Sequence, residues 1–173
     1  HLYVDNTANT WPHGGTDPIH FPAIYAVADG VVSRVDTYFP VGDNFRYGVT
    51  LAFAKKDGKD VQLHYSIEPM IDPGDDAFYK PFLQVEKGQV VSKGDVLAYF
   101  YLPPNQGENA HIHFHLNING ENGFYAPEIF TPEVVDDFAQ RWQWRGYDPT
   151  GEGGTKIPPS IGYLLSPHEK IFP

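Results

Sequence analysis

Between residues 48 and 67 the chain alternates apolar and polar positions with a period of two, the spacing of side chains on a half-buried β-strand. Val49, Leu51 and Phe53 fall on one face, with Thr50, Ala52 and Ala54 on the other. After the turn sequence Lys56-Asp57-Gly58-Lys59, Val61, Leu63, Tyr65 and Ile67 share one face and Gln62, His64 and Ser66 the opposite one. Upstream, residues 23–28 and 31–38 flank Asp29-Gly30, which predicts a hairpin. Downstream, 68–81 carries three Pro and three Asp and reads as a long surface loop. Within 85–100, turns centred on Gly88 and Gly94 flank a short apolar step at Val90 and Val91, and 110–118 reads as a further strand. One helix is predicted from Pro132 to about 142: Thr131 caps it, Pro132 takes its first position, and Glu133, Asp136 and Asp137 suit its positive end.

These elements predict an all-β fold of mainly antiparallel sheet, with one short C-terminal helix and long loops. Residues 1–173 form a single domain, with a β core over 11–119 and the helix and a Gly/Pro-rich arm over 120–173. Composition agrees: 17 Gly, 16 Pro and 15% aromatic residues supply turn and strand chemistry rather than a helical bundle. The balance of 12 basic against 22 acidic residues gives a net charge of −10, which repels phosphate backbones and argues against a nucleic-acid partner. With no Cys, disulfides, thiolate zinc sites and thiol nucleophiles are excluded. No apolar run approaches the ~20 residues of a membrane-spanning helix, and no secretory leader is visible in the residues given. A monomer is expected.

Candidate chemistry is concentrated in the eight histidines. His111, His113 and His115 stand two apart, so on a strand their imidazoles project from one face while Ile112, Phe114 and Leu116 point into the core. Such a row is either a solvated polar face or a set of metal ligands, since adjacent imidazoles repel when protonated and coordinate when neutral. His64 lies on the polar face of its own strand and shares a side with that row if the two strands belong to one antiparallel sheet. His13-Gly14-Gly15-Thr16-Asp17 is ordinary loop sequence, yet its glycines also permit a tight turn that brings an imidazole and a carboxylate onto one ion. His20 is a competing ligand nearby. A catalytic zinc takes three nitrogen or oxygen ligands and keeps a position for water, and a His-Asp-His set is the kind this Cys-free chain can offer.

The order of these motifs carries a resemblance. His13-x-x-x-Asp17, Ala26-Val27-Ala28-Asp29-Gly30-Val31-Val32, Gly48-Val49-Thr50-Leu51, the strand residue His64, Lys87-Gly88-Gln89-Val90-Val91-Ser92-Lys93-Gly94-Asp95 and His111-x-His113-Phe114 together resemble the lysostaphin and LytM type of zinc metallopeptidase over about 11–119. The resemblance implies a duplicated-hybrid-motif-like β sandwich with a groove and one zinc per chain. It also implies hydrolysis of peptide bonds in bacterial peptidoglycan, in an extracellular, periplasmic or cell-envelope setting. Carried over by position, His13, Asp17 and His113 match the metal ligands, and His64 and His111 the catalytic histidines. The sequence departs from the pattern at Gln62, where an aromatic is usual, and at His115, where Glu is common. It also departs in the length of 68–84 and of the tail after Asn122. Two other readings stay open: a non-catalytic, metal-binding regulatory or wall-binding module on the same scaffold, and a phosphohistidine carrier, which the acidic charge and Asp17 disfavour.

Overall fold

The computed structural model describes residues 2–3, 16–41, 44–70, 75, 77–102 and 110–120, with isolated positions at 131, 133 and 140. Eight strands are present among them: β1 (Leu2–Tyr3), β2 (Ala23–Tyr25), β3 (Gly30–Val41), β4 (Asn44–Lys56), β5 (Lys59–Glu68), β6 (Val90–Val91), β7 (Val96–Tyr99) and β8 (His111–Ile118). They form a six-stranded sheet in the order β1-β8-β5-β4-β3-β6 and a two-stranded sheet, β2-β7, with every pairing antiparallel. The all-β, mainly antiparallel expectation therefore holds. The expected helix at 132–142 and the arm at 147–173 lie almost wholly outside the described residues.

The β4–β5 connection follows the sequence. Asp57 (φ 52°) and Gly58 (φ 79°) both take the left-handed region, which makes a two-residue hairpin turn closed by the Lys56–Lys59 pair. From there the alternation sets the register. Val49, Leu51, Val61, Leu63, Tyr65 and Ile67 are essentially inaccessible and build the core face. Their burial is the main stabilising term, at about 1.5–3 kcal/mol for each large side chain. The pattern breaks at Phe53. A bulge between Ala52 and Ala54 leaves it opposite no β5 residue, so Ala54 pairs with Val61 and Phe53 is only partly buried.

The core lies between this face and the small sheet. Tyr47 Oη donates to the Tyr99 carbonyl (2.6 Å) and accepts from Tyr101 N (2.9 Å), while Tyr65 Oη accepts from Val27 N (3.1 Å). Two buried tyrosines thus hold the sheets together through their hydroxyls, and burial pushes the Tyr65 phenol up to about 12 and that of Tyr47 well up as well.

Two expectations need correction. Residues 23–28 and 31–38 do not form a hairpin, because β2 pairs with β7 while β3 pairs with β4 and β6. Asp29-Gly30 is a crossing between sheets rather than a turn. Asp29 Oδ1 accepts from Lys93 N (2.7 Å), and Gly30 is needed for close approach, since a Cβ there would collide with the Ala52 carbonyl. The segment after Ile67 is likewise more than a surface loop. Glu68 is the last residue of β5, and Tyr79 and Phe82, which enters through a short 3-10 turn (Lys80–Phe82), are fully buried. Tyr79 stacks on Tyr47 with centroids 4.5 Å apart, which anchors the segment to the core.

Candidate functional site

The other face of the large sheet carries the polar residues. On β5, His64, Ser66 and Glu68 project to it, and the register sets His115, His113 and His111 of β8 opposite them in that order. On β4, Thr50 pairs with His64 and Gly48 with Ser66, and Arg46 reaches Glu68. Three antiparallel strands therefore bring Arg46, Thr50, His64, Ser66, Glu68 and the three β8 histidines onto one surface. The four polar residues buried among the described ones, Thr50, Ser66, Glu68 and His111, all lie there. The expectation that His64 shares a side with the His111–His115 row is met.

Glu68, 5% exposed, is the hub. Its Oε1 accepts from Arg46 Nη1 (2.7 Å) and Ser66 Oγ (2.9 Å), its Oε2 lies 3.1 Å from His111 Nε2, and His113 Nδ1 is 3.8 Å from Oε1. Burial alone would raise the carboxyl, but its contacts with His111, Arg46 and Ser66 overcome it and hold Glu68 at about 2. Arg46 also stacks its guanidinium 4.3 Å from the centre of the Phe39 ring.

At the opposite end, His64 Nδ1 lies 2.8 Å from Thr50 Oγ1, and the edge of the His64 ring passes over Gly48. A Cβ on Gly48 would stand 2.5 Å from the Tyr65 carbonyl oxygen and 3.0 Å from His64 Cε1. Glycine is required here by proximity. Gly48→Ala is accordingly expected to lower stability by about 2 kcal/mol or more, because the backbone carbonyl cannot yield. It should also displace the His64 ring; thermal unfolding and the His64 ring resonances report the two effects. Beyond Gly48, Asp36 of β3 accepts at Oδ1 from Arg34 Nε (2.8 Å), while Oδ2 is buried without a hydrogen-bond partner among the described residues.

The imidazoles crowd one another: His113 and His115 have ring centres 4.0 Å apart, and His64 and His115 5.7 Å. Burial first, then the neighbouring rings, push His113 down to about 3 and His115 to about 4; burial also lowers His64, against the pull of Asp36. At neutral pH these three rings are uncharged, the form that binds a metal ion or accepts a proton.

A pH dependence follows. Unfolded histidines take up protons near 6.5, whereas folded His115 and His113 do so only at about 4 and 3, so the unfolded state binds more protons in between. Stability is therefore full above pH 6.5 and falls as the pH drops from there. Glu68, at about 2 against 4.5 when free, acts in the same direction at lower pH: its contribution is intact down to pH 4.5 and is lost below it. The chelator-treated protein is expected to lose on the order of 2 kcal/mol between pH 7 and 5, after allowance for the partial exposure of both rings. In a melting-temperature series this is a fall of roughly 5 °C, with a second, steeper loss below pH 4.5.

Of the residues expected to hold zinc, His13 lies outside the described residues. Asp17 is exposed and caps the 3-10 turn Pro18–His20, with its Oδ1 accepting from Ile19 N (3.3 Å). His20 ends that turn and is exposed. His113 sits in the middle of the polar face. Among the described residues no three His, Asp or Glu side chains are placed to hold one ion, and the expected set includes His13, which lies outside them. The donors fit zinc in kind: a neutral, half-buried imidazole and a carboxylate. No helix among the described residues is long and apolar enough to cross a membrane.

Comparison of the chain with family models, with curated proteins and with solved structures finds no match. The sequence reading assigned no role to Arg46, Gly48, Thr50 or Glu68. For Glu68 the signal was present: continuing the 62, 64, 66 alternation by one step puts it after Ser66 on the polar face.

Proposed function

We propose that this chain is a zinc-dependent metalloendopeptidase that hydrolyses peptide bonds of bacterial peptidoglycan, in the cross-bridge or the stem peptide. The reading rests on the motif order that resembles lysostaphin and LytM-type enzymes, and on one observation of geometry that supports it. The two histidines matched to catalytic roles, His64 and His111, come from separate strands yet stand on one sheet face with His113, as the β5–β8 register requires. His13, Asp17 and His113 would hold the ion. Zinc, when bound, lowers the pKa of a coordinated water toward ~7 and polarises a carbonyl. Around it, His64 and His111 would divide proton acceptance from the nucleophile and stabilisation of charge on the substrate carbonyl oxygen. The setting proposed is extracellular, periplasmic or at the cell envelope.

The test pairs metal analysis of the purified chain with mass spectrometry of digested peptidoglycan. About one zinc per chain and new peptide amino termini in the digest are expected. Zinc without new termini would replace the enzyme by a non-catalytic, metal-binding module, and a chain that takes up no zinc would overturn both.

A further inference from the structure

We propose that His64 and His115 form a second metal site, a cross-strand pair of imidazoles that takes a tetrahedral divalent ion of the zinc kind when that ion is in excess. Binding by the pair is independent of the peptidase reading; its consequence for hydrolysis rests on that reading.

His64 of β5 stands directly opposite His115 of β8, and their ring centres are 5.7 Å apart with planes inclined at 44°. An imidazole nitrogen sits about 2.0–2.1 Å from zinc, so each ring centre lies ~3.2 Å from the metal and two tetrahedral ligands are ~5.2 Å apart, centre to centre. The pair is thus within ~0.5 Å of the ligating separation before either ring turns. The ladder already fixes the backbone spacing, so only ring rotation remains to be ordered. His113 and His115, at 4.0 Å with planes at 86°, are too close to share such an ion, since that spacing would close the angle at the metal to about 75–80°.

His64 would meet the ion through Nε2, because its Nδ1 lies 2.8 Å from Thr50 Oγ1. With a metal on Nε2 the proton stays on Nδ1 and the hydroxyl accepts it, the outer contact that orients most metal-bound histidines. His115 has two ring nitrogens, and either one serves, whatever the other bonds. Charge favours a cation here. Asp36 pairs with Gly48, over which the His64 ring passes, and its Oδ2 is buried without a hydrogen-bond partner among the described residues. Arg34, 67% exposed at its side chain, opposes that field only in part. Water would complete the coordination. Two protein ligands hold an ion less tightly than three, so the pair fills after the proposed site at His113. Filling it draws the lone pair of His64 Nε2 onto the metal. His64 can then neither accept a proton nor turn toward a substrate carbonyl, and hydrolysis is inhibited.

The experiment titrates Zn2+ into the full chain already holding about one zinc. Calorimetry gives the stoichiometry, histidine ring resonances the location and peptidoglycan hydrolysis the consequence. A second, weaker equivalent is expected, with the His64 and His115 rings shifting together and hydrolysis falling in step. His115→Ala should weaken the second site by at least about 10-fold while keeping the first zinc and parental hydrolysis in low zinc. His115→Gln serves if the alanine variant does not fold. No second equivalent in the parent overturns the inference, as does a His115 variant that keeps it at parental affinity. A second equivalent that leaves hydrolysis untouched overturns the inhibitory role. A chain that binds a single zinc, lost with His115→Ala and kept with His113→Ala, retains the pair and removes the peptidase reading.

Discussion

Alanine at His64 or at His111 is expected to lower peptidoglycan hydrolysis by at least about 100-fold while leaving the zinc content of the chain unchanged. His113→Ala is expected to lose both. The split follows from where the three rings stand. His113 occupies the middle of the β8 row, opposite Ser66, and burial and its neighbours hold it neutral, as a ligand must be. His64 sits at one end of the face, held at Nδ1 by Thr50 and seated over Gly48. His111 sits at the other end against Glu68. Neither truncation strands a buried charge: His64→Ala leaves a hydroxyl without its imidazole, and His111→Ala leaves Glu68 still paired with Arg46 and Ser66. Both proteins should fold, and the loss should appear in kcat. Metal analysis beside product release makes the comparison. Parental cleavage by His64→Ala or His111→Ala would sink the assignment of roles, and a His113→Ala protein that keeps its zinc would remove His113 from the ligand set.

Much of this face was legible in the sequence because period-two alternation is unambiguous where one side of a strand is buried. Val61, Leu63, Tyr65 and Ile67 fix which way His64 points, and the short turn at Asp57-Gly58 locks β4 to β5. The register between β5 and β8 was not legible, since more than forty residues separate them and no local rule sets their alignment. It alone decides that His64 meets His115 while Glu68 meets His111. Local signals also misled. Asp29-Gly30 has hairpin chemistry, but its glycine serves the approach to Ala52 and its aspartate caps Lys93 N. The far end of β3 runs through Pro40, which pairs with Phe45 and has no described strand on its other side, where a Pro is tolerated. Because that stretch was not read as strand, Arg46 went unnoticed. His115 stood out as an extra imidazole in the sequence, and its place opposite His64 became visible only with the register.

The second large effect concerns stability. Glu68→Ala is expected to cost about 3 kcal/mol, because Arg46 would keep its charge in a partly buried place with its only described carboxylate partner removed. For a chain of this length that is a fall of roughly 6–12 °C in melting temperature. Arg46→Met should cost a similar amount for the converse reason: Glu68, 6% exposed at its side chain, would keep only Ser66 and His111. The double variant, Arg46→Met with Glu68→Leu, removes both charges and fills the space with apolar atoms. It should recover most of what either single change loses, because a buried ion pair is worth little against well-packed apolar residues. Denaturant unfolding of the parent, Arg46→Met, Glu68→Leu and their double variant gives the coupling energy directly, and strictly additive losses would show that the two side chains do not act as a pair. The proposed catalysis separates the variants further. A pair kept only for stability would leave the double variant active. A pair kept to hold Glu68 against His111 predicts a double variant that is well folded and slow.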